Sequence, residues 1–247
     1  MHKLILNPGR EKSLARRHPW VFSGAVARVE GDPAAGETVT LHAADGAFLA
    51  LAAYSPQSQI VARVWDWKER AIDRAFFKER IARAVAQRRE LLDGATTDAL
   101  RLVHGESDGL PGVVADRYGA TVVVQLTSAG ADRWRDAIAD ALLEVEGVRR
   151  IWERSDAEVR ALEGLAAAAG PLRGHREPTR ITVSESALMF QVDLEHGHKT
   201  GFYLDQRENR RLVRASACGE DVLDCFCYSG GFALNAAAGG ARSVTAV

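Results

Sequence analysis

The stretch Gly197 to Gly240 reads GHKTGFYLDQRENRRLVRASACGEDVLDCFCYSGGFALNAAAGG, and its last half decides the fold class. Val222 to Cys227 is a short apolar run behind the turn Cys218-Gly219-Glu220-Asp221, which predicts a buried strand. Tyr228-Ser229-Gly230-Gly231 breaks the run, and Phe232 to Ala238 continues as an Ala-rich helix closed by Gly239-Gly240. Arg242 to Val247 predicts a second strand. Strand, glycine turn, helix and strand make a parallel α/β unit, in which the turn lies at the carboxyl end of the strand. Ligands bind there, because glycines let the backbone come close to them.

Several readings compete for this turn. A dinucleotide fingerprint would space its glycines G-x-G-x-x-G, and Ser229-Gly230-Gly231-Phe232-Ala233-Leu234 does not. A phosphate-cradling loop would end in Gly-Lys-Ser/Thr, which is absent. Asp224 at the strand end, followed by Gly230-Gly231, looks like the first motif of class I S-adenosylmethionine (AdoMet) methyltransferases; a plain strand-to-helix turn explains the same letters. The segment upstream narrows the choice. Lys199-Thr200-Gly201-Phe202-Tyr203-Leu204-Asp205-Gln206-Arg207 resembles the signature that precedes the first AdoMet motif in the RlmI-type family of bacterial 23S rRNA cytosine-C5 methyltransferases. Asp205 with Glu208 three residues on also has the spacing of a capping box, which would fix where Gln206 and Arg207 point.

The resemblance implies AdoMet as cofactor, held by Lys199, Thr200, Tyr203, Asp205, Gln206, Arg207, Asp224, Phe226, Tyr228, Ser229, Gly230 and Gly231. In the family the thiol that attacks C6 of cytosine lies well downstream of the glycine loop, so neither Cys225 nor Cys227 takes that role. The catalytic residues are expected beyond Val247, as is the acid that grips the cofactor ribose. On that reading the chain is a fragment of a longer reading frame, inactive by itself; a free-standing RNA-binding protein without a catalytic half fits the same letters. No metal site is expected: His196-x-His198 and Cys225-x-Cys227 read as ordinary residues, the cysteines as small core side chains of the strand.

Residues 1–70 alternate short apolar runs with Gly, Pro and Asp turns, at Lys3 to Leu6, Val21 to Val29, Thr38 to His42, Ala47 to Tyr54 and Ile60 to Trp65, which predicts a small β barrel. Arg16-Arg17-His18-Pro19-Trp20-Val21-Phe22-Ser23-Gly24 resembles the PUA-like RNA-binding domain that opens the same family. From Met1 to Trp20 five basic residues face the single acid Glu11, so Arg10, Arg16, Arg17 and Trp20 are the candidate RNA contacts, guanidinium groups for phosphates and a ring for an unpaired base. Trp20 as barrel core is the competing reading.

Residues 71–178 predict a central α+β domain. Phe77, Ile81, Ala84, Val85, the Arg88 stem, Leu91 and Leu92 recur at helical spacing, with Asp73 as N-cap and Gly94 as the stop. Arg74, Lys78, Arg80, Arg83 and Arg89 form the opposite face. Strands follow at Arg101 to Gly105, Gly112 to Arg117 and Thr121 to Thr127, then a helix through Trp134, Ile138, Ala141, Leu142 and Val145, and a strand Val148 to Glu153. His104 to Gly112 gathers a His, acids and a Ser, but its glycines and proline mark a tight connection rather than a hydrolytic site. Asp156 to Gly170 predicts an Ala-rich helix and Pro171 to Pro178 a linker. Ile181 to Glu185 and Leu188 to Leu194 predict a hairpin that enters the last unit, residues 179–247, the amino-terminal part of a Rossmann-like methyltransferase domain.

Composition bounds the rest. The 247 residues carry a formal net charge of -1, so attraction to RNA must come from local patches. The three cysteines define no disulfide framework, and neither a signal peptide nor a membrane-spanning stretch is expected. The expected setting is the cytoplasm, with 23S rRNA as partner, no membrane, and a homodimer left open.

Overall fold

The computed structural model describes residues 2–88, 96–156 and 158–247. The amino-terminal sheet is built from β1 (Lys3–Leu6), β2 (Trp20–Phe22), β3 (Val26–Glu30), β4 (Thr38–His42), β5 (Phe48–Tyr54) and β6 (Ile60–Asp66), with the single-turn helix α1 (Lys12–Ala15) between β1 and β2. Its order is β2-β6-β5-β4-β1-β3, and all pairs are antiparallel except β1 with β4. The two edge strands, β2 and β3, are joined by only the 3-10 turn Ser23–Ala25, so the sheet must curl until its edges come near each other, as in a half-closed barrel. That turn also splits the single run expected over Val21 to Val29. Leu4, Leu6, Leu14, Val39, Leu41 and Ala62 fill the interior.

Helix α2 (Arg74–Ala86) follows, and Asp73 caps it as expected: its carboxylate accepts from the Phe76 N–H at 3.0 Å. Arg89, Leu91, Leu92 and the Gly94 stop lie outside the described residues. The central sheet then forms from β7 (Ala99–His104), β8 (Val113–Tyr118) and β9 (Thr121–Leu126), the helices α3 (Ala129–Arg133) and α4 (Arg135–Leu143), β10 (Arg150–Ser155) and β11 (Ala168–Arg173). Its order is β11-β10-β9-β8-β7, with β9 and β10 parallel and the remaining pairs antiparallel. Among the described residues the expected helix over Asp156 to Gly170 is not formed. Glu158–Glu163 is a 3-10 segment, and Ala168–Arg173 pairs with β10, which also takes Pro171 to Arg173 out of the expected linker. Alanine propensity loses here to the free edge of β10, whose backbone groups need partners.

The first two units share a core. Ala53 and Trp65 of the amino-terminal sheet pack with Phe76, Phe77, Leu102, Val124 and Ile138 of the central unit. Gly130 makes this possible, because a Cβ there would collide with the Ala53 methyl and the Trp65 ring. Beside it Arg63 pairs with Glu163 at 2.8 Å, and both side chains are almost fully buried. Burial pushes the Glu163 carboxyl up, but hydrogen bonds from Ser58, Arg63 and Ser55 and the Arg63 charge outweigh it, and the group titrates below its ordinary value.

The hairpin β12 (Arg180–Glu185) and β13 (Leu188–Asp193) turns at Ser186-Ala187, both at positive φ. It packs Val183, Phe190 and Val192 against Ala99, Tyr118 and Trp152, on the opposite face of the central sheet from α2 and α4. Helix α5 (Arg207–Ser216), β14 (Asp221–Asp224), α6 (Gly231–Ala238) and β15 (Ser243–Ala246) complete the chain, β14 and β15 being parallel. Strand β14 ends at Asp224, short of the run expected to Cys227, and it is not buried: Leu223 is 64 % and Phe226 96 % exposed. Cys225 is exposed and Cys227 half-buried, so the expectation of two core cysteines on one strand face fails with it.

Candidate cofactor site

The site lies where the Lys199–Arg207 signature meets the glycine loop. Three side chains of the central sheet hold the signature in place. The Thr200 hydroxyl donates to Asp116 at 2.6 Å and meets the Tyr118 hydroxyl at 2.8 Å, while Tyr118 also receives the Phe202 N–H at 3.2 Å. Burial first, and then the Asp116 carboxylate, pushes the Tyr118 phenol well up, so it stays a neutral donor. Arg154 on β10 donates to the carbonyls of Leu194 and Gly197 at 3.0 and 3.1 Å and so fixes the loop before the signature.

Helix α5 is anchored by acid rather than capped. Glu185 at the hairpin end is 2 % exposed and receives Arg210 in a fork at 2.7 and 2.8 Å and Arg207 at 3.2 Å. The capping box expected of Asp205 and Glu208 is absent, because Leu204–Gln206 forms a 3-10 turn and Gln206 precedes α5 without a side-chain cap bond. The forked Glu185 pair supplies the fixed start that a cap would otherwise give.

On the opposite wall Asp224 does cap a helix: its Oδ2 accepts the Ala233 N–H at 3.0 Å, inside the first turn of α6. Gly230 takes a left-handed conformation at φ 70° just before that helix, a backbone shape that glycine adopts without strain. Phe226 and Tyr228 are also at positive φ, 62° and 50°, and so is Lys199 at 57°. Left-handed backbone in residues with a Cβ is disfavoured by about 1 kcal/mol or more each, and such strain clusters where a chain is shaped for binding. The Tyr228 hydroxyl explains how it is held. It donates to the Gly201 carbonyl at 2.8 Å and accepts the His198 N–H at 2.9 Å, while the two rings stack at 4.4 Å. A side chain on Gly197 would strike this hydroxyl. Burial raises the Tyr228 phenol, so this hydroxyl too is neutral.

Between these walls is a cavity of about 350 Å³. Of the twelve residues expected to hold the cofactor, Tyr203, Gln206, Phe226, Tyr228, Ser229 and Gly231 line it. Thr200 faces the central sheet instead, Asp224 is spent on the helix cap, and Lys199, Asp205 and Arg207 line a neighbouring cleft. His198, Phe202, Arg210, Cys227 and Phe232 line the cavity without having been singled out. The sequence held a signal for two of them: His198 and Phe202 sit in or beside the signature, and only the fold reveals which way each faces. The chemistry of the walls fits AdoMet. The N–H groups at the start of α6, left without intrahelical acceptors, suit the methionine carboxylate. The Tyr203, Tyr228 and Phe226 rings offer π-faces to a sulfonium.

In the amino-terminal unit Arg10, Arg16 and Arg17 are exposed, and the Arg17 guanidinium lies 4.9 Å from the Trp67 ring centroid. Trp20 is neither barrel core nor a free platform: it is half-buried, and its indole N–H donates to Glu106 of the central unit at 2.8 Å. The His104 to Gly112 loop is structural, its Asp108 carboxylate accepting the His104 N–H at 2.6 Å and the Arg88 fork at 3.0 and 2.8 Å. Among the described residues no helix is long and apolar enough to cross a membrane.

Comparison with known proteins agrees with this arrangement. Residues 4–67 match the family of PUA-like domains, and residues 166–247 the family of S-adenosylmethionine-dependent methyltransferases. The chain is 49 % identical over 246 residues to the ribosomal RNA large subunit methyltransferase I of Klebsiella pneumoniae, and 49 % identical over 243 residues to that of Shewanella amazonensis. It covers 99 % and 98 % of itself in these matches but spans only 62 % and 61 % of the relatives' length. A protein from Streptococcus mutans described as a SAM-dependent methyltransferase superposes over the whole chain with a TM-score of 0.82 at 26 % identity. A second solved structure, a methyltransferase complexed with SAH, does so with a TM-score of 0.84, also at 26 % identity. The resemblance to the RlmI-type family therefore holds along essentially the whole chain.

Proposed function

We propose that this chain is the RNA-docking and cofactor-entry part of an AdoMet-dependent methyltransferase that forms 5-methylcytosine in 23S rRNA. The observation that carries the reading is the cavity itself, assembled from the signature and the glycine loop in a chain that opens with a PUA-like unit. The division into residues 1–70, 71–178 and 179–247 belongs to the same proposal. Tyr203, Gln206, Tyr228, Ser229 and the Gly230-Gly231 backbone bind the methionine end, with Asp224 shaping the helix start and Thr200, Asp205, Arg207 and Lys199 holding or flanking the signature. When bound, AdoMet supplies the electrophilic methyl group; the residues described here bind and orient it. They contain no acid poised for its ribose and no thiol assigned to the base, so the 247 residues alone transfer no methyl group and bind AdoMet weakly.

Incubating the protein at its relatives' length with tritiated AdoMet and 23S rRNA is expected to place label in 5-methylcytosine on nucleoside analysis. Label in another nucleoside would remove the base assignment, and no label in RNA would remove the reaction. Calorimetry of AdoMet on the 247 residues alone tests the second claim; micromolar binding would refute it.

A further inference from the structure

Beside the cofactor cavity lies a second, larger cleft of about 710 Å³, between the central unit and the signature, and the two share Phe202 and Tyr203 as a common wall. Its cations are arranged in a particular way. Arg88, Arg101 and Arg207 each line the cleft and each is forked or paired to an acid behind it, Asp108, Asp116 and Glu185. The acids are 3 %, 1 % and 2 % exposed and the arginines 19 %, 39 % and 23 %. The carboxylates are thus sealed in the protein while the guanidinium groups reach the open side. A guanidinium has five N–H donors; besides their acids Arg88 also bonds the Ala84 carbonyl, Arg101 the His104 ring and Arg207 the Ala99 carbonyl, and each still keeps at least two donors for a second anion. The buried acid fixes the guanidinium plane in advance, so little side-chain entropy is lost when that anion arrives. Lys199 completes the rim. It is exposed, sits at φ 57°, and has no hydrogen-bond or ion-pair partner among the described residues. His104 and Ser107 form the far end, and Asp205 is the acid on the lining.

The cleft also connects to the amino-terminal unit. Its Ser107 belongs to the 3-10 turn Gly105–Asp108, and Glu106 in that turn receives the Trp20 indole N–H. The basic segment through Arg16 and Arg17 is thereby pinned next to the turn that ends the cleft.

We propose that this cleft seats the phosphate backbone of the RNA strand that carries the reacting base, with Lys199 and the outward faces of Arg88, Arg101 and Arg207 as phosphate contacts. The strand runs from the amino-terminal basic segment past Ser107 and His104 to Tyr203, the half-buried ring shared by the two cavities, where a base turned past that ring meets the cofactor. Single-stranded RNA fits this surface better than a protein partner does, because planar, pre-fixed guanidinium groups beside the Tyr203 ring match phosphates and unpaired bases. The inference rests on the RNA-methyltransferase reading above and adds a route between its two ends.

The test uses the 247-residue chain and a fluorescent single-stranded, cytosine-containing oligoribonucleotide, titrated between about 50 and 200 mM salt. Lys199→Asn is the informative variant, since asparagine tolerates left-handed backbone and the lysine makes no contact the fold needs. It is expected to weaken binding several-fold and to reduce the salt slope by about 0.7, one phosphate contact on a single strand. Lys199→Arg should restore both. Cross-links from 4-thiouridine in the same RNA should reach residues 101–107 and 199–207. Unchanged affinity and slope in Lys199→Asn, or cross-links confined to residues 10–22, would overturn the cleft while leaving an RNA-binding protein. No binding by the wild-type chain would overturn the RNA reading, and the cleft with it.

Discussion

Strands β9 and β14 begin from similar letters and end in different surroundings. In β9, Val122, Val123 and Val124 are all 0 % exposed, flanked in the sheet by β8 and β10 and covered on one face by the α2 and α4 side and on the other by the β12–β13 hairpin. In β14, Val222 is half-buried and Leu223 64 % exposed; among the described residues β15 is its single partner strand, and α6 packs to one side with α5 against α6. An apolar run in a sequence states that a strand can be covered on both faces, without saying which element does so. The described residues up to 203 answer that from within. After Phe202 the buried apolar side chains are only Ala217, Ala233 and Ala236, and Arg207 and Arg210 tie the region to Glu185 by ion pairs.

The largest effect should come from the covered side. Phe77→Ala, in the cluster shared by Trp65, Phe76 and Trp134, removes a fully buried ring and is expected to destabilise the chain by about 3 to 5 kcal/mol in urea unfolding. A loss below about 1 kcal/mol would mean that this core is looser than its burial implies.

Next in size is the link between the two regions. Glu185→Gln leaves Arg207 and Arg210 without their buried acid, and breaking such a pair is expected to cost roughly 3 kcal/mol. Because the loss falls on α5, hydrogen exchange should quicken in residues 207–238 and stay slow in β8 to β10. Equal quickening in both would erase the distinction between regions.

These two side chains also mark how far the sequence was legible. Strand and helix periodicity placed β1, β4, β5, α2, the hairpin and the strand-turn-helix order, and Asp73, Gly230 and the signature were visible as local chemistry. The 3-10 segment and β11 were not, because an alanine-rich stretch was recruited by the open edge of β10, a long-range demand that no local pattern carries. The same limit applies to the site. Tyr203, Tyr228 and Ser229 could be named, but Thr200 turned to Asp116 and Tyr118, residues more than eighty positions away. Arg154 and Glu185, which hold the site together, looked like ordinary strand charges.

A smaller effect separates the regions by pH. Glu163 is held below its ordinary value, so it binds a proton more readily when unfolded than when folded. Its contribution to stability is fully present above the ordinary carboxyl value of 4.5 and is lost as pH falls through the lower folded value. Glu163→Gln should therefore flatten the acid limb of the stability curve below about pH 4.5 for the shared amino-terminal and central core. An acid limb of unchanged slope would assign the acid sensitivity to other carboxylates.

The smallest effect is expected at the exposed side chains of and just after β14. Leu223 and Phe226 lie in the run read as a strand, and they are 64 % and 96 % exposed, so neither ring nor isobutyl group has much contact to lose. Hydrophobic stabilisation scales with the apolar area removed from water, at about 25 cal/mol per Å², and an exposed side chain has removed little. Leu223→Ser and Phe226→Ser should each change unfolding free energy by no more than about 0.5 kcal/mol, against several for Phe77→Ala. Solubility should respond more than stability, because Leu223, Phe226 and Val247 are all strongly exposed within one short segment, and exposed apolar side chains grouped in this way favour self-association. The double variant is thus expected to sediment as monomer at concentrations where the parent chain associates. If instead Leu223→Ser costs as much as a core substitution, β14 is covered in solution by some part of this chain, and the contrast with β9 disappears.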